Sequence, residues 1–134
     1  ASRGFAKTLK AWHLHRLAIR TGDLGIPIDV DRPIDGEPAP FVSFAAALQE
    51  VSDLLDEAQA HLTAAGAEDF PFPVAPGFEG FDAPATFIQF NRALAAKVLV
   101  HRATFVDCTA CWAEASTAMN ASCAACRWGA TTSG

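Results

Sequence analysis

Six apolar side chains, Phe44, Leu48, Val51, Leu55, Ala58 and Leu62, recur at i, i+4, i+7, i+11, i+14 and i+18. Only an α-helix of about five turns places all six on one face, so a strand is excluded here. Ser43, following Pro40, is the expected N-cap, and Ala64-Ala65-Gly66 the expected end. Such a helix is stable only with partners for its stripe, and the rest of the chain is read as a search for them.

The first partner spans residues 3–20. Phe5, Leu9, Trp12 and Ile19 form one stripe, and Ala11, Leu14, Leu17 and Ala18 a second on the other side. A helix apolar on two faces needs neighbours on both, which predicts an inner helix of a larger assembly. Gly22 and Gly25 are expected to close it. Residues 22–40 contain Pro27, Pro33, Pro38 and Pro40 and read as an extended connection with one short strand at 26–30.

Residues 66–83 form a loop rich in Pro, Gly and Phe. A third helix is expected from Ala85 or Thr86, capped by Asp82 or Thr86, with Thr86-x-x-Gln89 as a capping box. Its predicted core stripe is Phe87, Phe90, Leu94, Val98 and Phe105, with Ala93 and Ala96 leaving room for a close neighbour. Asp107 is the expected cap of a fourth helix through about Asn120. Residues 127–134 carry no period and are predicted to be a mobile tail.

The fold class expected is all-α, with long irregular loops: a tetratricopeptide-like helical repeat over residues 1–126, forming part of a larger domain. Such units bury their faces by stacking, and two pairs are fewer than the three or so that a free-standing array needs. The chain does not begin with Met, which suits a processed protein or a piece of a longer one.

Half of the 134 residues are apolar and 19% are charged, so the chain can bury a core. The net charge of −5 argues against nucleic acid as a partner. The first twenty residues hold five bases and no acid, whereas Asp23 to Asp82 holds thirteen acids and one base, Arg32. The plain expectation is that the basic helix packs beside the acidic stretch; a basic docking site is the alternative.

Cys108-x-x-Cys111 and Cys123-x-x-Cys126, eleven residues apart, match a zinc pattern on spacing alone. Neither pair has the Gly or Pro that turns a zinc knuckle, and both look helical. Metal ligation by Cys108, Cys111, Cys123 and Cys126 is therefore the weaker alternative; a disulfide in an oxidising compartment, for instance Cys108–Cys111, and unpaired cysteines stand equally ahead of it. His13 and His15 point to opposite sides of a helix and do not chelate. Asp53, Glu57 and His61 share an acidic face that reads as solvated, and His101 reads as a packing residue. Trp12 and Arg16 are spaced to stack.

No nucleophile elbow, phosphate-cradling glycine loop or Cys/His/Asn set at a known spacing is present, and Asp53 and Asp56 lie on one helix surface with no cleft implied, so no enzyme is expected and no cofactor. Phe70, Phe72, Phe78 and Phe81 have two readings. They pin the loop onto the helices, or they form an aromatic platform for a ligand.

Three segments carry a family resemblance. Ala6, Leu9, Lys10, Ala11, Trp12, Leu17, Arg20, Gly22, Asp23 and Pro27 fit a pattern in which Ala, Leu-Arg-Ala-aromatic, Leu, Arg and Gly-Asp-x-Pro follow one another. Lys10 replaces the usual Arg, and Leu24-Gly25-Ile26 lengthens the interval to Pro27. Val51, Leu55, Ala58 and Leu62 fit a second helix, with Leu54 where Asp is usual. Asn91-Arg-Ala-Leu-Ala-Ala-Lys-Val-Leu-Val100 resembles a third. In this order they resemble the SusD/RagB family of outer-membrane nutrient-binding lipoproteins, over residues 3–120 and a fraction of a member's length. The resemblance implies a tetratricopeptide-like scaffold at the extracellular face of the outer membrane, anchored by a lipid on an upstream cysteine. It implies a SusC-like TonB-dependent transporter as partner and an oligosaccharide or peptide ligand, bound and passed on but not cleaved. The matched helices are scaffold, so no binding residue is carried over. A stand-alone tetratricopeptide-like protein–protein adaptor is the other reading.

Overall fold

The computed structural model describes residues 1–33 and 35–123. Four helices carry the fold: α1 (Ser2–Thr21), α2 (Phe44–Ala65), α3 (Pro84–Phe105) and α4 (Cys111–Ser122). The expected tail and Cys126 lie outside the described residues, as does the far end of the expected 1–126 unit.

Each helix packs on the next in sequence. Gly4 near the start of α1 lies against Leu62 and Ala58 near the end of α2, so the two run antiparallel. Leu55 of α2 meets Arg92 of α3, and Ser52 meets Arg102, again antiparallel. Thr8 pairs with Asn91 and His15 with His101, so α1 and α3 run parallel, side by side against α2. A five-residue turn after Phe105 folds α4 back along α3.

The 22-residue α2 obeys its sequence stripe. Leu48, Val51, Leu55, Ala58 and Leu62 are buried and Phe44 is half-buried. The Ser43 hydroxyl accepts from the Ala46 N–H, 3.3 Å, satisfying a first-turn donor. Gly66, at φ 61°, takes up the left-handed turn that ends the helix.

In α1 the expectation of two buried stripes fails. The buried residues are Gly4, Thr8, Ala11, Leu14, His15 and Ala18, a single face. Leu17 and Ile19 are 42% and 40% exposed, and Phe5, Leu9 and Trp12 are half-buried. Three of the six buried positions, Gly4, Thr8 and His15, lie outside both apolar stripes, which is why apolar periodicity misplaces the face. An alanine at Gly4 would put its Cβ 2.6 Å from Leu62 Cγ and 2.8 Å from the Ala58 carbonyl oxygen, so glycine is what lets α1 and α2 approach so closely.

The expected strand at 26–30 shrinks to β1 (Ile26–Pro27), paired antiparallel with β2 (Phe41–Val42) through Ile26↔Val42 and Pro27↔Phe41. Pro27 cannot donate to a ladder, which limits the pairing. Gly25, at φ 71°, packs against the Val42 carbonyl, where a Cβ would stand 2.2 Å from the oxygen.

Helix α3 begins earlier than expected, with Pro84 at its first position and Ala83 as N-cap, rather than Asp82 or Thr86. Thr86 sits three residues in, and its hydroxyl accepts the Ala83 N–H, 3.3 Å; this is the returning half of a capping box, and Ala83 has no side-chain acceptor to supply the other half. Phe87, Leu94 and Val98 are buried, but Phe105 is 62% exposed, because α3 ends there. Of the two small residues, Ala96 is buried and Ala93 exposed. Asp107 does not cap α4. It occupies the left-handed region at φ 53° within the turn, and Ala110 is the N-cap.

Two apolar clusters result. The larger joins Ala11, Leu14 and Ala18 with Leu48, Val51, Leu55, Leu94, Val98 and Ala118. The smaller joins Leu62, Phe70 and Phe87 with Phe5, Phe72, Phe78, Phe81 and Phe90. Between them lies a polar layer. The Asn91 amide donates to the Thr8 hydroxyl, 2.9 Å, and to the Leu55 carbonyl, 3.2 Å, while its oxygen accepts from Arg92 Nε, 2.8 Å. Arg92 also donates to the Leu55 carbonyl, 2.7 Å, and to Asp56, 2.8 Å. Among the described residues every buried side-chain nitrogen and oxygen has a partner.

Candidate functional site

The helix order leaves an open cleft of about 590 Å³ between α2 and α4, floored by α3. Its floor is Arg92, Ala95, Leu99 and Arg102, which the helical repeat aligns at i, i+3, i+7 and i+10. Gln49, Ser52, Asp53, Asp56 and Gln59 line the α2 wall, and Ala113, Glu114, Thr117, Ala118 and Ala121 the α4 wall, with Cys108 at the turn.

The cleft's charges are largely held in place from within. Arg92 is nearly buried, and its ion pair to the exposed Asp56 neutralises it. Arg102 donates to the Ser52 hydroxyl, 3.2 Å, and to the Gln49 side-chain oxygen, which fixes its guanidinium along the rim. Gln49 in turn donates to Asp53, 2.8 Å. What remains open to a ligand is a mix of amide, carboxylate, hydroxyl and guanidinium edges around the small apolar patch of Ala95, Leu99 and Ala118. This chemistry suits a ligand with many hydroxyls and small C–H faces. No local pattern along the chain marks this cleft, because the lining comes from three helices and is polar or small.

The loop phenylalanines are placed elsewhere. Phe70 is buried, and Phe72, Phe78 and Phe81 are half-buried. Phe5 sits at the centre of edge-to-face contacts with Phe70, Phe72 and Phe78, at 5.3, 5.1 and 5.9 Å between ring centres. Phe78 and Phe81 reach Phe90 at 5.4 and 6.0 Å. The rings therefore face one another and the helices, and pin residues 66–83 to α1 and α3.

Cys108 and Cys111 are joined by a disulfide, so their sulfurs are not thiolate ligands for the alternative zinc site. Cys123 follows the last turn of α4, and Cys126 lies outside the described residues. Among the described residues no group of three metal-ligating side chains comes together.

The acidic face of α2 meets the basic α1. Lys7 pairs with Glu57, and Lys10 with Asp31 at 2.6 Å. The Lys7 hydrogen bond and charge hold the Glu57 carboxyl below the ordinary carboxylate range. The His61 charge adds a smaller push in the same direction, and Asp53 accepts from Gln49 instead. The Arg16 guanidinium lies 5.9 Å over the Trp12 ring. His13 is exposed, whereas His15 is buried against His101, and burial followed by the charges of His101 and Lys97 lowers the His15 pKa to about 4.

No helix among the described residues is long and apolar enough to cross a membrane. No protein-family model, no curated protein and no solved structure matches this chain.

Proposed function

We propose that the chain is a non-catalytic nutrient-binding scaffold of the SusD/RagB type, which holds an oligosaccharide at the extracellular face of the outer membrane for a SusC-like TonB-dependent transporter. The observation that carries this reading is the α2–α3–α4 cleft, which offers hydrogen-bonding edges around a small apolar floor. The three segments that resemble the family lie on α1, α2 and α3, in the family's order. Two antiparallel pairs, α1–α2 and α3–α4, with α1 parallel to α3, support a tetratricopeptide-like arrangement of the helices.

Native affinity electrophoresis tests the reading: the chain is run through gels that each contain one soluble polysaccharide. Retardation by at least one neutral glycan is expected, and Arg102→Ala is expected to restore the free mobility. Unchanged mobility in every gel overturns it.

A stand-alone tetratricopeptide-like adaptor is favoured by a different observation. Trp112 and Met119, one heptad apart on α4, are 54% and 55% exposed, which suits a protein partner. That reading predicts no retardation by any glycan, and selection of peptides from a displayed library that Trp112→Ala no longer binds.

A further inference from the structure

The binding role assigns no chemistry to the Cys108–Cys111 disulfide, although it borders the same cleft, and its two sulfurs stand in unequal surroundings. Cys108 is half-buried and lines the cleft, whereas Cys111 is fully buried as the first residue of α4. We propose that this pair is a thiol–disulfide exchange site, opened from the cleft by a low-molecular-weight thiol that attacks Cys108.

Three features of the turn support this. Access decides which sulfur is attacked, and only Cys108 faces open space. The leaving sulfur, Cys111, sits at the N-terminus of the twelve-residue α4, where the partial positive charge of the helix offsets the cost of a buried thiolate and eases its departure. Glu114 shares that first turn, but it is exposed and its charge is screened by water. Finally, backbone hydrogen bonds hold the turn alongside the disulfide. Cys108 N–H donates to the Arg102 carbonyl, 3.4 Å, and Cys111 N–H to the Cys108 carbonyl, 3.1 Å. The disulfide spans three residues of sequence, so breaking it releases little chain entropy.

The exchange balances with two equivalents of thiol. A thiolate RS⁻ bonds to Cys108 Sγ, the Cys108–Cys111 bond breaks, and its electron pair leaves on Cys111 Sγ, which takes a proton. A second thiolate then attacks the RS sulfur of the mixed disulfide and releases Cys108 as a thiolate. Two RSH become RSSR, and the protein disulfide becomes two thiols.

The test uses the full oxidised chain and reduced glutathione. Alkylation and peptide mapping follow each cysteine separately, while far-ultraviolet circular dichroism follows the helices. Expected is alkylation of Cys108 at full helicity, with Cys111 modified more slowly. With oxidised glutathione as the donor, the Cys108 thiolate of Cys111→Ser should displace one glutathione thiolate and form the mixed disulfide about tenfold or more faster than Cys111 does in Cys108→Ser. Because a serine at the buried Cys111 can itself disturb folding, the unsubstituted chain is also quenched with acid during reduction, and the mixed disulfide is expected on Cys108. Protection of both cysteines until helicity is lost, or equal capture by the two sulfurs, overturns the proposal.

Discussion

His15 Nε2 and His101 Nδ1 lie 2.9 Å apart across the α1–α3 contact, with the two rings stacked at 25°. One nitrogen must donate and the other accept, so the pair is satisfied only when at least one of them is unprotonated. Burial holds the His15 pKa near 4 and pushes that of His101 down as well, with Lys97 adding to both. The unfolded chain therefore takes up protons first as pH falls, so stability is complete above about pH 6.5 and declines towards about pH 4. We expect a loss of about 1 kcal/mol between about pH 7.5 and about pH 5.5, read as a shift in the urea midpoint. His15→Gln should flatten that slope; an equal slope in the variant would remove the pair as its source.

Gly4→Ala should destabilise the chain, although alanine is the better helix former by about 1 kcal/mol. The added Cβ would meet Leu62 and the Ala58 backbone at less than normal contact distance, so α1 must move off α2. The expected cost is about 1–3 kcal/mol. The double substitution Gly4→Ala with Leu62→Ala should cost less than the sum of the two single changes, because the smaller side chain removes the clash. A strictly additive result would contradict the close approach.

Asn91→Leu should cost about 2–4 kcal/mol in urea unfolding, since it removes the donor to the Thr8 hydroxyl, which keeps its own bond to the Gly4 carbonyl, and leaves the buried Arg92 Nε without its acceptor. At the other end of the same network the effect should be small. Asp56 is 70% exposed, and Asp56→Asn should cost less than about 1 kcal/mol. The gradient from buried to exposed partner is the quantity to measure.

Phe70→Ala should free the loop more than it unfolds the helices. The ring is buried between Phe5, Phe72 and Phe87, and its loss is expected to cost about 2–4 kcal/mol. Proteolysis should then cut first within residues 66–83. Cleavage within α2 or α3 at the same rate would mean that the ring holds the whole fold.

How much of this was legible depends on which residues are buried. Along α2 the buried positions are large aliphatics with alanine, so the period read true from Phe44 to Leu62. Along α1 the buried face is set by Gly4, Thr8 and His15, whose partners Leu62, Asn91 and His101 are 58, 83 and 86 residues away in sequence. No local pattern of hydropathy records a glycine chosen for closeness or a threonine chosen for a distant amide. The ends of α3 and α4 were misjudged for a related reason. Phe105 continues the apolar period one step past the last packed turn, and Asp107 has the chemistry of a cap but sits at φ 53°. The charge asymmetry was legible, because Lys7–Glu57 and Lys10–Asp31 need only that the basic helix lie beside acids. The cleft was not, since it exists only once three helices are placed.

The polar layer at Thr8, Leu55 and Asn91 separates the aliphatic cluster from the phenylalanine cluster. For a lineage accumulating substitutions, that layer acts as a firebreak. A repacking among the aromatic rings need not be answered by one among the aliphatics, so the two ends of the molecule can diverge at different rates. Thr8 and Asn91, whose side chains meet between them, would be the slowest to change.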